Sequence, residues 1–124
     1  MTSREPRAIV LCADALYRSV LVRQFEKEGW EVEESSRAED AERRAVQFRP
    51  HVVVAEMQNV QEMTFLLRRW KTLPTLLQAH VIVEVSTLLP GEAEELLDAG
   101  AATIALRGHQ TPGDIVRRAG KELP

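Results

Sequence analysis

The sequence predicts an α/β fold in which five parallel strands form one doubly wound sheet. Five short apolar runs alternate with five segments of helical periodicity, which is the pattern of βα units feeding a parallel sheet. The length of 124 residues, with 44% hydrophobic and 28% charged residues, suits one globular domain. Right-handed crossovers then favour the flavodoxin-like strand order 2-1-3-4-5. We therefore treat residues 1–124 as a single domain, either standing alone or cut from a longer protein.

The five apolar segments differ in pattern according to their predicted place in the sheet. They lie at residues 8–12, 30–34, 51–56, 80–85 and 102–107. The second alternates apolar and acidic residues, as an edge strand with one solvated face does. The third is an apolar run that ends at Glu56, as a central strand covered on both faces does. The fourth is interrupted by Glu84, which either pairs with a buried partner such as His80 on the same face or marks a face open to a binding partner.

Apolar spacing and capping residues predict the helices between these strands. The first helix has apolar residues at helical spacing, and Ser36 with Glu39 predicts a capping box at the start of the second. Residues 71–79, which include a proline, are predicted as a connector after the third helix. A short fourth helix follows the fourth strand. Thr111 is the predicted N-cap of the last helix, with Pro112 at its first position.

Charge and composition argue against several classes of function. A net charge of -3 and a pI near 5.6 disfavour a nucleic-acid surface, which needs clustered Lys and Arg. The single cysteine, Cys12, permits no intramolecular disulfide and suits a reducing compartment. The longest apolar run, residues 8–13, is far shorter than the ~18 residues of a membrane span. We therefore expect a cytoplasmic protein that contacts neither membrane nor nucleic acid through this domain.

The topology selects a candidate site before any family is considered, because ligands of open α/β sheets bind outside the carboxyl ends of the strands. That edge collects Cys12, Ala13 and Asp14 after strand one, Glu56 after strand three, Val85 and Ser86 after strand four, and Arg107 after strand five. The set is poor in catalytic groups, and the three histidines lie at no ligand spacing. We expect neither a metal nor another cofactor, and no enzymatic activity.

Residues 50–56, the turn Ala99-Gly100-Ala101 and the fifteen-residue step from Val85 to Gly100 resemble a response-regulator receiver domain of the CheY-like superfamily. The resemblance covers nearly the whole chain, but the positions of the phosphorylation site depart from the family's pattern. Cys12 and Ala13 replace the acidic pair that holds Mg²⁺, Glu56 the phosphoacceptor aspartate, Val85 the switch hydroxyl, Ile104 the switch aromatic and Arg107 the lysine. The resemblance therefore implies a degenerate receiver.

The exchanged residues predict that phosphotransfer is lost. Mg²⁺ requires near-octahedral oxygen ligands, which Cys12 and Ala13 do not supply. Asp14 is one residue late, and we interpret it as the N-cap of the first helix rather than as a displaced metal ligand. Glu56 and Arg107 either form a fixed ion pair or remain solvated at the strand ends. An atypical phosphoacceptor that uses Asp14 and Glu56 is the alternative function.

Receivers use their fourth helix, fifth strand and fifth helix for homodimers and partner docking, so the resemblance implies a protein-binding surface. It would comprise Leu88, Leu89, Glu92, Glu95, Ile104, Asp114 and Arg118. The residues alone support only Leu88 and Leu89, which either extend an apolar patch or fold back onto the core. We expect a phosphorylation-independent protein-binding module of bacterial signal transduction with a single conformation.

Overall fold

The computed structural model describes residues 5–123, which form a five-stranded parallel sheet in the predicted order β2-β1-β3-β4-β5. The strands are β1 (Arg7–Leu11), β2 (Glu31–Ser35), β3 (Val52–Glu56), β4 (His80–Val85) and β5 (Thr103–Leu106). The helices are α1 (Ala15–Lys27), α2 (Ala38–Phe48), α3 (Val60–Trp70), α4 (Pro74–Leu77), α5 (Glu92–Ala99) and α6 (Pro112–Lys121). Among residues 5–123 there is no helix with the length and hydropathy that a bilayer-spanning segment requires.

The core is divided by the sheet into two layers, because successive side chains of a strand point to opposite faces. Val53 and Val83 face one side and pack with buried residues of α2, α3 and α5, among them Trp70. Val54 and Ile82 face the other side and pack with buried residues of α1 and α6. Both faces of the central strands are therefore covered, as the apolar run of the third strand predicts.

Two local predictions are wrong. Ser36 and Glu39 do not form a capping box, since the N-cap of α2 is Arg37 and no side chain caps it. The neighbouring Ser35 bonds the turn instead, where its hydroxyl accepts from the Arg37 N–H at 3.2 Å and donates to the Arg37 carbonyl at 2.8 Å. The predicted connector at residues 71–79 contains the short helix α4, which begins at a proline.

Strand ends differ from the prediction by about one residue, and β2 shows why. Its predicted first residue, Trp30, donates its backbone N–H to the Phe25 carbonyl at 3.1 Å, so this group belongs to the end of α1 rather than to the sheet.

The predicted N-cap of the last helix is confirmed. Thr111 and Asp114 form a reciprocal capping box at the start of α6.

Candidate functional site

Four predicted site residues meet at the carboxyl edge of the sheet. Cys12 directly follows β1, Asp14 precedes α1, Glu56 ends β3 and Arg107 follows β5. The backbone hydrogen bonds of the sheet continue past the ends of β1 and β5. The Cys12 backbone N–H donates to the Ser35 carbonyl at 3.0 Å, and the Arg107 backbone N–H donates to the Val85 carbonyl at 2.8 Å. Parallel strands end at one edge, so these four side chains come together although up to 95 positions separate them, from residue 12 to residue 107.

The guanidinium of Arg107 bridges two carboxylates. Its Nη1 lies 3.2 Å from Glu56 Oε2, and its Nη2 lies 3.2 Å from Asp14 Oδ2. The Glu56 side chain is only 6% exposed and that of Arg107 is 31% exposed. Burial by itself lowers the pKa of Arg107, but the hydrogen bonds with Asp14 and Glu56 prevail and raise it. The geometry favours the fixed ion pair over two solvated side chains.

Asp14 has two roles in this arrangement. Its Oδ1 accepts the backbone N–H groups of Leu16 at 3.1 Å and Tyr17 at 3.2 Å, so the predicted N-cap of α1 is confirmed. Its Oδ2 is the oxygen that accepts from Arg107. The hydrogen bond from Tyr17 N–H, followed by that from Arg107, lowers the pKa of Asp14. The cap therefore links the start of α1 to the end of β5.

Two further side chains extend the cluster, and the sequence analysis missed their contact. The Arg107 guanidinium carbon lies 3.9 Å from the centre of the Tyr17 ring, a cation–π contact. The Tyr17 hydroxyl donates to Glu84 Oε2. The prediction that Glu84 pairs with His80 is wrong, because residues four positions apart on a strand are separated by about 13 Å. The His80 ring instead lies 3.5 Å from Glu122 at the opposite edge of the sheet.

Glu84 is a buried carboxyl group with an incomplete set of partners. The residue is 0% exposed, and its Oε1 has no hydrogen-bond partner among residues 5–123. In the register of β3 and β4, Glu84 lies directly beside Glu56. Burial raises the pKa of Glu84 more than the hydrogen bond from Tyr17 lowers it, and the charge of Glu56 raises it further. The environment thus favours the neutral form of Glu84 beside the charged Glu56.

Cys12 is a buried thiol within this cluster rather than a reactive one. Its Sγ lies 3.5 Å from the Asp14 carbonyl and 3.8 Å from Glu56 Oε1. Burial raises the pKa of Cys12, and the nearby Glu56 carboxylate acts in the same direction. Because the thiolate is the nucleophile and the metal ligand, this environment suppresses both roles.

We call the contacting side chains of Cys12, Asp14, Tyr17, Glu56, Glu84 and Arg107 the ion-pair cluster. The remaining predicted site residues lie outside it. Val85 is buried and Ile104 is half-buried, and both pack on the α3 and α5 side of the sheet. Ala13 and Ser86 are exposed. Val85 and Ile104 thus face away from Glu56 and Glu84, within apolar packing.

The donor set at this edge does not fit a divalent ion. Within residues 5–123, no three His, Cys, Asp or Glu side chains are grouped so that they could hold a metal. The space between the Asp14 and Glu56 carboxylates is spanned by the Arg107 guanidinium, which is itself a cation. Positive charge is therefore supplied by a side chain, and Cys12 offers a protonated thiol where an oxygen ligand would be needed.

The predicted partner surface separates into packed, capping and exposed residues. Leu88 and Ile104 pack against the core, Glu92 and Asp114 accept backbone N–H groups near the starts of α5 and α6, and Leu89, Glu95 and Arg118 are exposed. The two leucines thus differ, since Leu88 folds back and Leu89 is 69% exposed. Leu97 on α5 is 49% exposed and was not singled out from the sequence.

Comparison with known proteins places the fold among receiver domains. No protein-family model and no curated protein sequence matches the chain. A response regulator from Thermotoga maritima superposes with a TM-score of 0.84 at 17% identity, over 96% of this chain and 98% of that chain. A CheY-like receiver domain protein from Methanospirillum hungatei JF-1 gives 0.84 at 18% identity, over 96% and 94%.

The receiver domain of a sensor histidine kinase from Pseudomonas aeruginosa PAO1 was solved with magnesium coordinated in its active-site cleft. It gives a TM-score of 0.77 at 13% identity, over 95% of this chain and 97% of that chain. These likenesses establish the CheY-like fold, over nearly the full length of the domains compared.

Proposed function

We propose that this chain is a pseudo-receiver, a phosphorylation-independent protein–protein interaction module of bacterial signal transduction. The observation that carries the proposal is the position of Arg107, whose guanidinium spans Asp14 and Glu56 at the carboxyl edge of the sheet. One structure with the same fold, the receiver domain from Pseudomonas aeruginosa PAO1, was solved with magnesium coordinated in its active-site cleft. In this chain a resident cation neutralises the acidic residues at the carboxyl edge of the sheet.

Charge and access at Glu56 support the loss of phosphotransfer. Phosphoryl transfer is catalysed chiefly by positioning and by cations that neutralise the incoming oxygens. Oε2 of Glu56 already accepts from Arg107, Oε1 lies beside the Cys12 thiol, and the side chain is 6% exposed. An incoming phosphodonor would have to break this ion pair without the oxygen ligands that hold a divalent ion.

The contacts around Tyr17 support a single resident conformation. Arg107 after β5 stacks on Tyr17 of α1, and Tyr17 donates to Glu84 of β4. Three elements that border the site are therefore tied to one another by side chains already in contact. Val85 and Ile104, at the switch positions, carry neither a hydroxyl nor an aromatic ring. A switch needs two alternative arrangements of such an element, and this chain lacks the groups that would select the second one.

The partner surface in this proposal is the exposed part of the face formed by α5, β5 and α6. Leu89, in the loop before α5, and Leu97 on α5 are exposed apolar residues, and Glu95 and Arg118 are exposed residues of opposite charge. Exposed apolar side chains with charged residues on the same surface are typical of protein-binding sites. A second copy of the chain and a signalling or output protein are both candidate occupants.

An atypical phosphoacceptor receiver is the second candidate, and one observation favours it. Asp14 and Glu56 converge on one cation, so two carboxylates do share the site. If Arg107 swung away, these oxygens would form the beginning of an acidic pocket.

Intact mass measurement distinguishes the two candidates. The purified chain is incubated with acetyl phosphate and Mg²⁺, with Glu56→Gln as the matched control. We expect no phosphoryl adduct on either protein. An adduct on the parent chain that is absent from the Glu56→Gln variant would establish the phosphoacceptor and refute the pseudo-receiver.

The surface is tested separately by sedimentation equilibrium and by binding to any isolated partner. Leu89→Glu introduces a charge into the proposed surface, and Leu16→Glu is the control, because Leu16 is 81% exposed on α1. We expect Leu89→Glu alone to weaken association. Equal behaviour of the two variants would place the interface elsewhere.

A further inference from the structure

A cavity of about 570 Å³ lies at the amino edge of the sheet, opposite the ion-pair cluster. Its walls come from the starts of β1, β3 and β4, the end of α2, the helix α4 and the end of the chain's last helix. The polar residues that line it are Arg7, Arg49, His51, Thr75, Gln78, His80 and Glu122. Donors thus outnumber acceptors, and the receiver resemblance assigns no role to this edge.

Arg7 is held in place by backbone carbonyls, and Arg49 has an unusual backbone conformation. The Nε–H of Arg7 donates to the carbonyls of Phe48 at 2.8 Å and Arg49 at 3.0 Å. These bonds fix the side chain up to Nε, and its two Nη groups take no part in them. Arg49 ends α2 in the left-handed region with φ 52°, which glycine adopts far more readily.

His51 is set as a neutral donor. Its Nδ1 accepts the Arg7 backbone N–H at 3.1 Å, which leaves the proton of the neutral ring on Nε2. Burial, with a contribution from the Arg7 charge, lowers the pKa of His51, so the ring retains this tautomer at neutral pH. The imidazole can therefore donate to an anion while it accepts from the backbone.

Among the described residues that line the cavity, Glu122 supplies the one carboxylate, and this carboxylate is already engaged. Glu122 Oε2 lies 3.5 Å from His80 Nδ1, and Glu122 Oε1 lies 3.7 Å from Arg118 Nε and 3.3 Å from the Thr103 hydroxyl. Its negative charge is thus shared with Arg118 outside the cavity. Within residues 5–123, the charges of Arg7 and Arg49 are left without a carboxylate partner and favour an anion.

We propose that this cavity binds a small phosphate monoester of about nucleotide size, with Arg7 and Arg49 on the phosphate and His51 as a further donor. A phosphate monoester carries about -1.5 to -2 charge, which matches two guanidinium groups, and guanidinium forks suit its oxygens. Ligand pockets of about 300–1,000 Å³ hold whole small molecules, so phosphate alone would leave most of the space empty. Thr75 and Gln78 also line the cavity and are available to contact the remainder of such a ligand.

AMP is the probe, with adenosine and inorganic phosphate as its two halves. Binding is measured by calorimetry and mapped by amide chemical shifts in the full chain. Arg49→Gln removes one charge at a site where glutamine is no more strained than arginine, and Arg49→Lys keeps the charge but loses the fork. Arg68→Gln is the control, because Arg68 is an exposed arginine on α3 that does not line the cavity.

We expect AMP to bind and adenosine to fail, with inorganic phosphate weaker than AMP and with shifts centred on His51 and Arg49. Loss of a charge-assisted bond should weaken AMP binding at least about tenfold in Arg49→Gln and less in Arg49→Lys, while Arg68→Gln binds as the parent does. Failure of AMP to bind, equal weakening by Arg49→Gln and Arg68→Gln, or shifts centred on Arg107 would overturn the proposal. The acetyl phosphate experiment does not bear on it, so the two proposals fail separately.

Discussion

Replacing Glu84 by glutamine should change how the stability of this protein depends on pH. Glu84 is 0% exposed, and burial raises its pKa in the folded chain above the value near 4.3 of an unfolded glutamate. Below about pH 4, the folded and the unfolded chain both hold the Glu84 proton, so the free energy of unfolding has its full value. As the pH rises, the unfolded chain releases its proton first, and the free energy of unfolding falls until the pH has passed the folded pKa.

The size of the effect follows from the linkage slope. One proton held by the folded chain and lost by the unfolded chain lowers the free energy of unfolding by about 1.4 kcal/mol for each pH unit. Glutamine removes this slope while its carbonyl still accepts from the Tyr17 hydroxyl. Its amide then occupies the place of Oε1, which has no hydrogen-bond partner among residues 5–123 in the parent either. The variant should therefore be similar in stability to the parent in acid and should become the more stable protein as the pH rises.

Urea unfolding of both proteins between about pH 4 and pH 8 measures this difference directly, since the other titrating groups cancel. Glu95→Gln, at an exposed position on α5, serves as the control and should run parallel to the parent. Parallel curves for Glu84→Gln as well would show that Glu84 has no raised pKa in the folded chain, and the account of the buried carboxyl would be refuted.

Three further substitutions or measurements test other parts of the structure. Arg107→Ala should destabilise the chain by about 1–3 kcal/mol in urea, less than for a fully buried pair because the side chain is 31% exposed, and adding Glu56→Gln should recover part of the loss. If Arg107→Ala costs nothing, the ion pair contributes nothing to stability. The Cys12 thiol should react with a disulfide reagent only as fast as the chain unfolds, and rapid labelling of the folded protein would contradict its burial. Trp70→Ala should cost about 3–5 kcal/mol, since the ring is 2% exposed, and a cost below 1 kcal/mol would show that the α3 face packs otherwise.

Much of the fold was predictable because it depends on patterns that are local in the chain. The apolar run of residues 51–56 predicts a central strand, and the alternation of residues 30–34 predicts an edge strand, which the order β2-β1-β3-β4-β5 confirms. The cap by Asp14 was also predictable, since it joins neighbours in sequence. The failed box of Ser36 and Glu39 shows the limit, because the buried Ser35 competes for the same turn.

The candidate site was predictable as a set of residues but not as a set of contacts. Parallel strands bring Asp14, Glu56 and Arg107 to one edge whatever their side chains do, so topology sufficed to group them. The contact of Tyr17 with Glu84 joins residues 67 positions apart and depends on how α1 packs over β4. In the sequence, the only indication of this contact was a glutamate that interrupts an apolar strand, and this pattern did not identify the partner of Glu84.

The sequence by itself determined the strand order and the chemistry available at the carboxyl edge, since periodicity and residue type need no coordinates. It also placed a thiol and a methyl group, at Cys12 and Ala13, at the carboxyl end of the first strand. Only the tertiary structure decided that one guanidinium spans both carboxylates and that Glu84 is sealed from water beside Glu56. Those features depend on distances of a few ångströms between distant segments, where Coulomb energies and desolvation change steeply with position.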